Sequence, residues 1–348
     1  MANTLRVERA LPREVLSAEL APIGGVSFDW LMIVVCCWFT GGVFTDGWAH
    51  THIPNLETFF TPWHAVLYSG YLSVAIFLAV SLFRNHARGY KWSQALPPGY
   101  GLALVGVVLF AISGVGDLTW HLLFGIEQDV EALFSPTHLG LACGNILCVS
   151  APIRAAWRRP ANASRGWIAL LPALVSMTFV LSVFTFFTQY AHPFVQLTAA
   201  TSLPSNIGFG MASILFQGAL LVGVVLLLVR RFSLPFGAFT LLFTVSIALL
   251  SILGNHFQLI PAAVLAGFVT DLLYLYLKPS TKRSDALHLF AFAVPVIFYL
   301  CYFLNLALFR GVDWSLDLWL GSVFTAGIVG FLLSYLVVPP QGLVAPQE

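Results

Sequence analysis

Apolar runs as long as a bilayer is thick recur from one end of this chain to the other, and they leave few folds open. A helix needs about 20 apolar residues to cross the hydrocarbon. Such runs stand near 29–50, 62–83, 97–121, 135–152, 167–190, 206–229, 235–254, 259–277, 286–308 and 316–338. Composition agrees: 59% of the 348 residues are hydrophobic and only 9% are charged, far from the balance of a soluble globular domain. The expected fold class is an all-α integral membrane protein of about ten transmembrane helices. The 235–277 pair reads either as two spans or as a re-entrant pair.

The charges orient these spans. With ten crossings and the N-terminus inside, every Lys and Arg except Arg310 falls on the inner face, in the segments around Arg6–Arg13, Arg84–Lys91, Arg154–Arg165, Arg230–Arg231 and Lys278–Arg283. Such a bias predicts an N-in, C-in topology. The acids run the other way: Asp46, Glu57, Asp117, Glu127, Asp129, Glu131, Asp313 and Asp317 gather on the outer face. An electronegative face of this kind draws cations. The sequence therefore predicts a cytoplasmic-membrane protein of bacterial type whose outer, periplasmic side carries the polar chemistry. The first span reads as a signal anchor, not a cleaved signal peptide.

That chemistry is concentrated in two stretches. Residues 46–70 read DGWAHTHIPNLETFFTPWHAVLYSG and residues 117–144 read DLTWHLLFGIEQDVEALFSPTHLGLACG. Both follow Asp-x-x-x-His, an acidic connector, Glu-x-x-Phe-(Ser/Thr)-Pro-x-His, and Gly six residues later. Asp46, His50, Glu57, Phe60, Pro62, His64 and Gly70 match Asp117, His121, Glu131, Phe134, Pro136, His138 and Gly144. Residues i and i+4 share a helix face, so each Asp converges with the first His of its motif. Thr61-Pro62 and Ser135-Pro136 read as an N-cap followed by proline at the first helical position, which puts His64 and His138 in the first turn of the next helix. Each stretch is thus predicted to be a metal-binding helical hairpin, and the pair an internal duplication. Two His and one carboxylate make a ligand set for a transition metal with open positions. The other reading is a hydrogen-bonded Asp–His network. His52, Glu57 and Glu131, with Glu127 and Asp129, are expected to surround the ligands or face solvent.

The rest of the chain is less specific. Residues 1–28 form an inner N-terminal segment, 29–152 the four-helix region with both motifs, 153–338 a six-helix membrane region, and 339–348 a tail. The five cysteines lie in apolar spans without a CxxC pair and read as packing residues. His192 and His256, at outer span ends, are either helix-end histidines or further groups serving the ligand sites. Asp271 is an intramembrane acid, hence a functional candidate unless it snorkels to the inner interface. Trp30, Trp314 and Trp319 read as an interfacial aromatic belt. Neither a nucleotide-binding loop nor a nucleic-acid surface is expected.

The residues DGWAH…FFTPWH resemble the signature of the C subunit of copper membrane monooxygenases, the particulate methane and ammonia monooxygenase family. There an Asp-x-x-x-His followed by Phe-Thr-Pro-x-His holds copper within the membrane. DLTWH…EALFSPTH is similar to a later site of that subunit, which begins with Asn where this chain has Asp117. The resemblance covers about residues 30–150. It implies one copper site at Asp46, His50 and His64 and a second at Asp117, His121 and His138. It further implies a copper-dependent membrane oxidoreductase of monooxygenase type, acting on O2 and a small apolar substrate that arrives through the lipid bilayer. The chain departs from the family in carrying Asp117, in its six further spans, and in lacking the outer copper-binding domain that the family places on another subunit. Partner subunits or a homo-oligomer are therefore left open. So are iron or zinc as the metal, a non-catalytic role in copper acquisition or storage, and a zinc-dependent membrane hydrolase.

Overall fold

A computed structural model of the chain describes residues 22, 24–53, 59–125, 129–160, 166–201 and 203–338. Among them there is no β-strand, only an isolated bridge between Ser280 and Arg283, and the fold is all-helical. In chain order the helices are α1 (Val26–His52), α2 (Pro62–Ala87), α3 (Gly101–Phe124), the short α4 (Asp129–Phe134), α5 (Pro136–Val149) and α6 (Ala151–Arg158). They continue with α7 (Trp167–Phe187), the four-residue α8 (Pro193–Gln196), α9 (Pro204–Arg231), α10 (Ala238–Gly254), α11 (Ile260–Leu277), α12 (Ser284–Phe309) and α13 (Leu316–Val337).

Nine helices among the described residues are long and apolar enough to cross a membrane, with α5 and α6 counted together as Pro136–Arg158. The tenth expected span, α10, is shorter. Its 17 residues rise only about 26 Å, against a hydrocarbon core of about 30 Å. The reason lies at its first turn. Asp271, on α11, accepts hydrogen bonds from Phe239 N (3.1 Å), Thr240 N (2.9 Å) and the Thr240 hydroxyl (2.7 Å). A helix start leaves N–H groups without partners, and inside apolar surroundings each needs an acceptor. Asp271 supplies it from the neighbouring helix. The acid therefore neither snorkels nor joins a site; it caps α10.

Other polar residues also satisfy helix ends. Arg231 donates to the carbonyls of Trp157 and Arg159 at the end of α6. Buried Asp29 at the start of α1 pairs with Arg159 and accepts from the Tyr100 hydroxyl at 2.6 Å. The aromatic-belt reading fails for Trp314, which is buried and donates to Thr198 O. All five cysteines are free; Cys36 and Cys148 are buried, whereas Cys37 and Cys143 are exposed. The N-terminal residues 1–21 and the tail 339–348 lie outside the described residues.

Close packing of the first helices depends on glycine. A Cβ at Gly70 on α2 would stand 2.7 Å from Phe39 Cα on α1, and one at Gly144 on α5 would stand 2.9 Å from Phe110 N on α3. Phe39 lies seven residues before Asp46 and Phe110 seven before Asp117. Their rings meet edge to face, centroids 4.9 Å apart, so α1 and α3 touch through residues at matching positions of the two motifs. The six-helix region packs onto this pair, with Phe44 of α1 against Phe186 of α7 at 5.2 Å.

Candidate metal centres

Each motif brings two imidazoles and one carboxylate together. Asp46 and His50 lie one turn apart near the end of α1, and His64 sits in the first turn of α2. The Asp46 Oδ2 is 3.7 Å from His50 Nε2 and 3.6 Å from His64 Nε2. In the second motif Asp117 and His121 lie near the end of α3 and His138 in the first turn of α5. Asp117 Oδ1 is 3.5 Å from both His121 Nε2 and His138 Nε2. Among the described residues these are the two groups of three or more potential ligand residues whose ligand atoms converge.

The cap reading of the sequence holds atom by atom. The Thr61 hydroxyl accepts from His64 N at 3.1 Å, and the Ser135 hydroxyl accepts from His138 N at 3.3 Å. The same residue that starts the helix therefore positions its histidine. Backbone carbonyls then fix the rings. His64 Nδ1 is 2.6 Å from Phe59 O, and His121 Nδ1 is 3.2 Å from Gly125 O. A carbonyl only accepts, so in each ring Nδ1 carries a proton, which leaves Nε2 as the atom aimed at the carboxylate and able to bind a metal.

In the first group the separations of 3.6 and 3.7 Å are too long for hydrogen bonds, and in both groups they suit a shared metal. Tetrahedral bonds of about 2.05 Å to N and O place ligand atoms roughly 3.4 Å apart. Asp46 adds a sign of incompleteness: its Oδ1 is buried and has no hydrogen-bond partner among the described residues. Buried polar atoms are rarely left so. The residues present fit a metal ion with three protein ligands and open positions.

The two groups differ in one detail. Thr137 donates its hydroxyl to Asp117 Oδ1 at 3.0 Å, whereas the matching residue of the first motif is Trp63, which cannot reach out in that way. Phe59 stands between the groups, its ring centroid 4.7 Å from His64 and 6.3 Å from His121. Tyr68, one turn beyond His64, packs against Phe59 at 6.0 Å and against His64 at 6.3 Å. Phe59, Tyr68 and Thr137 are the site-building residues that pattern alone did not single out, whereas the capping hydroxyls of Thr61 and Ser135 were read from the Ser/Thr-Pro signal.

The remaining candidates lie elsewhere. His52 stacks on Trp48, and its Nε2 meets Asn255 Nδ2 at 2.8 Å, tying α1 to the turn before α11. His192 is buried and accepts from Phe194 N, capping α8. His256 precedes the 3-10 turn Phe257–Leu259, where burial and the nearby Arg310 charge lower its pKa. Glu131 is exposed on α4, while Glu57 and Glu127 lie outside the described residues. Neither His192 nor His256 belongs to a converging group.

Comparison of the chain with protein-family models, with curated proteins and with solved structures yields no match.

Proposed function

We propose that this chain is an integral membrane metalloprotein with two tandem Asp-His-His centres, each built on one copy of a duplicated helical hairpin. The observation that carries the reading is the repeated convergence of a carboxylate oxygen on two Nε2 atoms at 3.5–3.7 Å. Copper is the metal we assign. Imidazole suits it well, and the paired motifs resemble those of the copper membrane monooxygenases. The activity proposed on that basis is an oxidoreductase of monooxygenase type, with a small apolar substrate and O2. Copper held there would supply one-electron redox chemistry toward O2.

The chain's own residues set the conditions. Asp46, His50 and His64 bind one ion and Asp117, His121 and His138 the other. Phe59 O and Gly125 O orient His64 and His121. Phe59 keeps the space between the groups apolar. Val115, Leu122 and Leu123 on α3 are exposed to more than two-thirds of their surface, so this face of the helix offers an apolar molecule dissolved in the bilayer a largely apolar approach. We place both centres near the outer face and both termini inside, because every basic residue but Arg310 then falls inside.

Elemental analysis of protein purified in mild detergent tests the metal assignment. Two copper ions per chain are expected; zinc alone, with no redox-active metal, would refute it. Incubation under labelled O2 tests the activity, since an oxygenase places the label in a product. Copper without any labelled product would reduce the role to copper acquisition or storage. Sidedness is tested by thiol labelling in a background without the native cysteines. Thr51→Cys should react with a membrane-impermeant reagent added outside intact cells and Arg158→Cys should not, and the reverse pattern overturns the topology.

A further inference from the structure

Between α7 and α9 the chain makes no long helix. Two 3-10 turns, Gln189–Ala191 and Thr198–Ala200, flank α8, yet Ala191, His192, Phe194, Leu197 and Thr198 are buried. Non-helical backbone buried in a membrane protein must find its hydrogen bonds within the protein or a polar cavity. Gln217 of α9 provides several. Its amide nitrogen donates to Thr188 O at 3.3 Å, Thr188 Oγ1 at 2.9 Å and Ala191 O at 3.1 Å. The carbonyl acceptors settle which end of the amide is nitrogen. They leave Gln217 Oε1 buried with no partner among the described residues.

A cavity of about 20 Å³ adjoins this amide, lined in part by Thr185, His192, Gln217, Phe243, Ser246 and Tyr299. Ser246 is a second orphan. Several buried hydroxyls elsewhere in the bundle bond back to the preceding turn, as Thr178 does to Leu174 O and Thr270 to Ala266 O, although Thr40 and Thr244 do not. The Ser246 hydroxyl makes no such bond and is buried without a partner. His192 completes the set. Its Nδ1 accepts from Phe194 N at 3.2 Å, which puts the proton of the neutral ring on Nε2. Burial pushes its pKa down to about 3, so the ring stays neutral.

We propose that this cavity is a built site for one water molecule, held between His192, Gln217 and Ser246. A buried water needs about 10–15 Å³ and two to four polar partners. The three residues offer a donor, an acceptor and a hydroxyl that is both. The volume excludes any larger ligand. Bound there, the water joins the non-helical segment to α9 and α10 and gives the six-helix region a polar centre of its own. The site shares no residue with the metal groups and does not depend on their reading.

Two measurements on the full-length protein in detergent decide it. X-ray radiolysis in ¹⁸O-water oxidises side chains beside bound water even where bulk solvent is excluded. Phe243 and Tyr299, each 1% exposed, should gain the heavy oxygen. Thermal unfolding of Ser246→Ala gives the second readout. If the water is present, the substitution removes one of its partners and Tm falls by about 2 °C or more. If the cavity is dry, deleting an unsatisfied buried hydroxyl raises Tm. Absence of label at every lining residue, or a Tm that stays level or rises, overturns the proposal.

Discussion

At the scale of single residues, Asp117 is the most informative position. Its oxygen faces two imidazole nitrogens at 3.5 Å and also accepts from Thr137, so it is pinned before any metal arrives. A carboxylate is a stronger ligand for a divalent cation than a neutral amide and offsets part of the ion's charge in apolar surroundings. Asp117→Asn should therefore keep the fold and weaken metal at the second centre about tenfold or more, in the range seen when groups around a metal are altered. Asp117→Ala should abolish binding there. Metal titration of both variants, read through the histidine signals of His121 and His138, checks this. Full occupancy in Asp117→Ala would make Asp117 a structural acceptor for Thr137 and nothing more. The convergence of the six candidate ligands was legible in the sequence because i, i+4 spacing and a Ser/Thr-Pro cap determine local geometry. Phe59 was not, since it acts through a backbone carbonyl that any residue carries.

Among the elements, α10 shows what a sequence cannot reveal. Its apolar run from 235 reads as a span or as half of a re-entrant pair, but the helix begins at Ala238, where Asp271 accepts from Phe239 N and Thr240 N, 32 and 31 residues away. A pairing over that distance leaves no periodic trace in the sequence, and an acid within a span reads by default as a functional group. The segment 188–201 was hidden for a similar reason: part of its hydrogen bonding comes from Gln217, Tyr302 and Trp314, all far away in the chain. By contrast, the spans with local signals, apolar length and a proline at N1, fell within a few residues of their expected ends. Asp271→Ala should leave the Phe239 and Thr240 donors unsatisfied in an apolar interior. The expected loss is on the order of 3 kcal/mol, since hydrogen bonds to charged groups are the stronger kind. Chemical unfolding in detergent measures it, and metal content at the two centres should be unchanged. A stability equal to that of the parent chain would show that α10 finds other acceptors.

For the molecule as a whole, the question is whether two hairpins in contact behave as one centre or two. Phe39 and Phe110 join them at matching positions, and Phe59 lies between His64 and His121. Beside these packing contacts the groups lie within electrostatic reach of each other, Asp46 and His50 both feeling the charge of Asp117 and His121, yet the three ligand atoms of each group converge on one another. Occupancy should then be lost site by site. His50→Ala removes one of three ligands from the first group while leaving Asp117, His121, His138 and their helix caps in place. The variant is expected to hold one metal ion per chain, and His121→Ala likewise, with each retained ion keeping its affinity within about threefold, the scale of 0.5 kcal/mol additivity for separate sites. Elemental analysis with titration of the remaining site checks both. If either substitution empties both groups, the ions occupy a single shared centre and the two-site reading fails. A threefold or smaller change shows that the charge of one group is felt only weakly at the other.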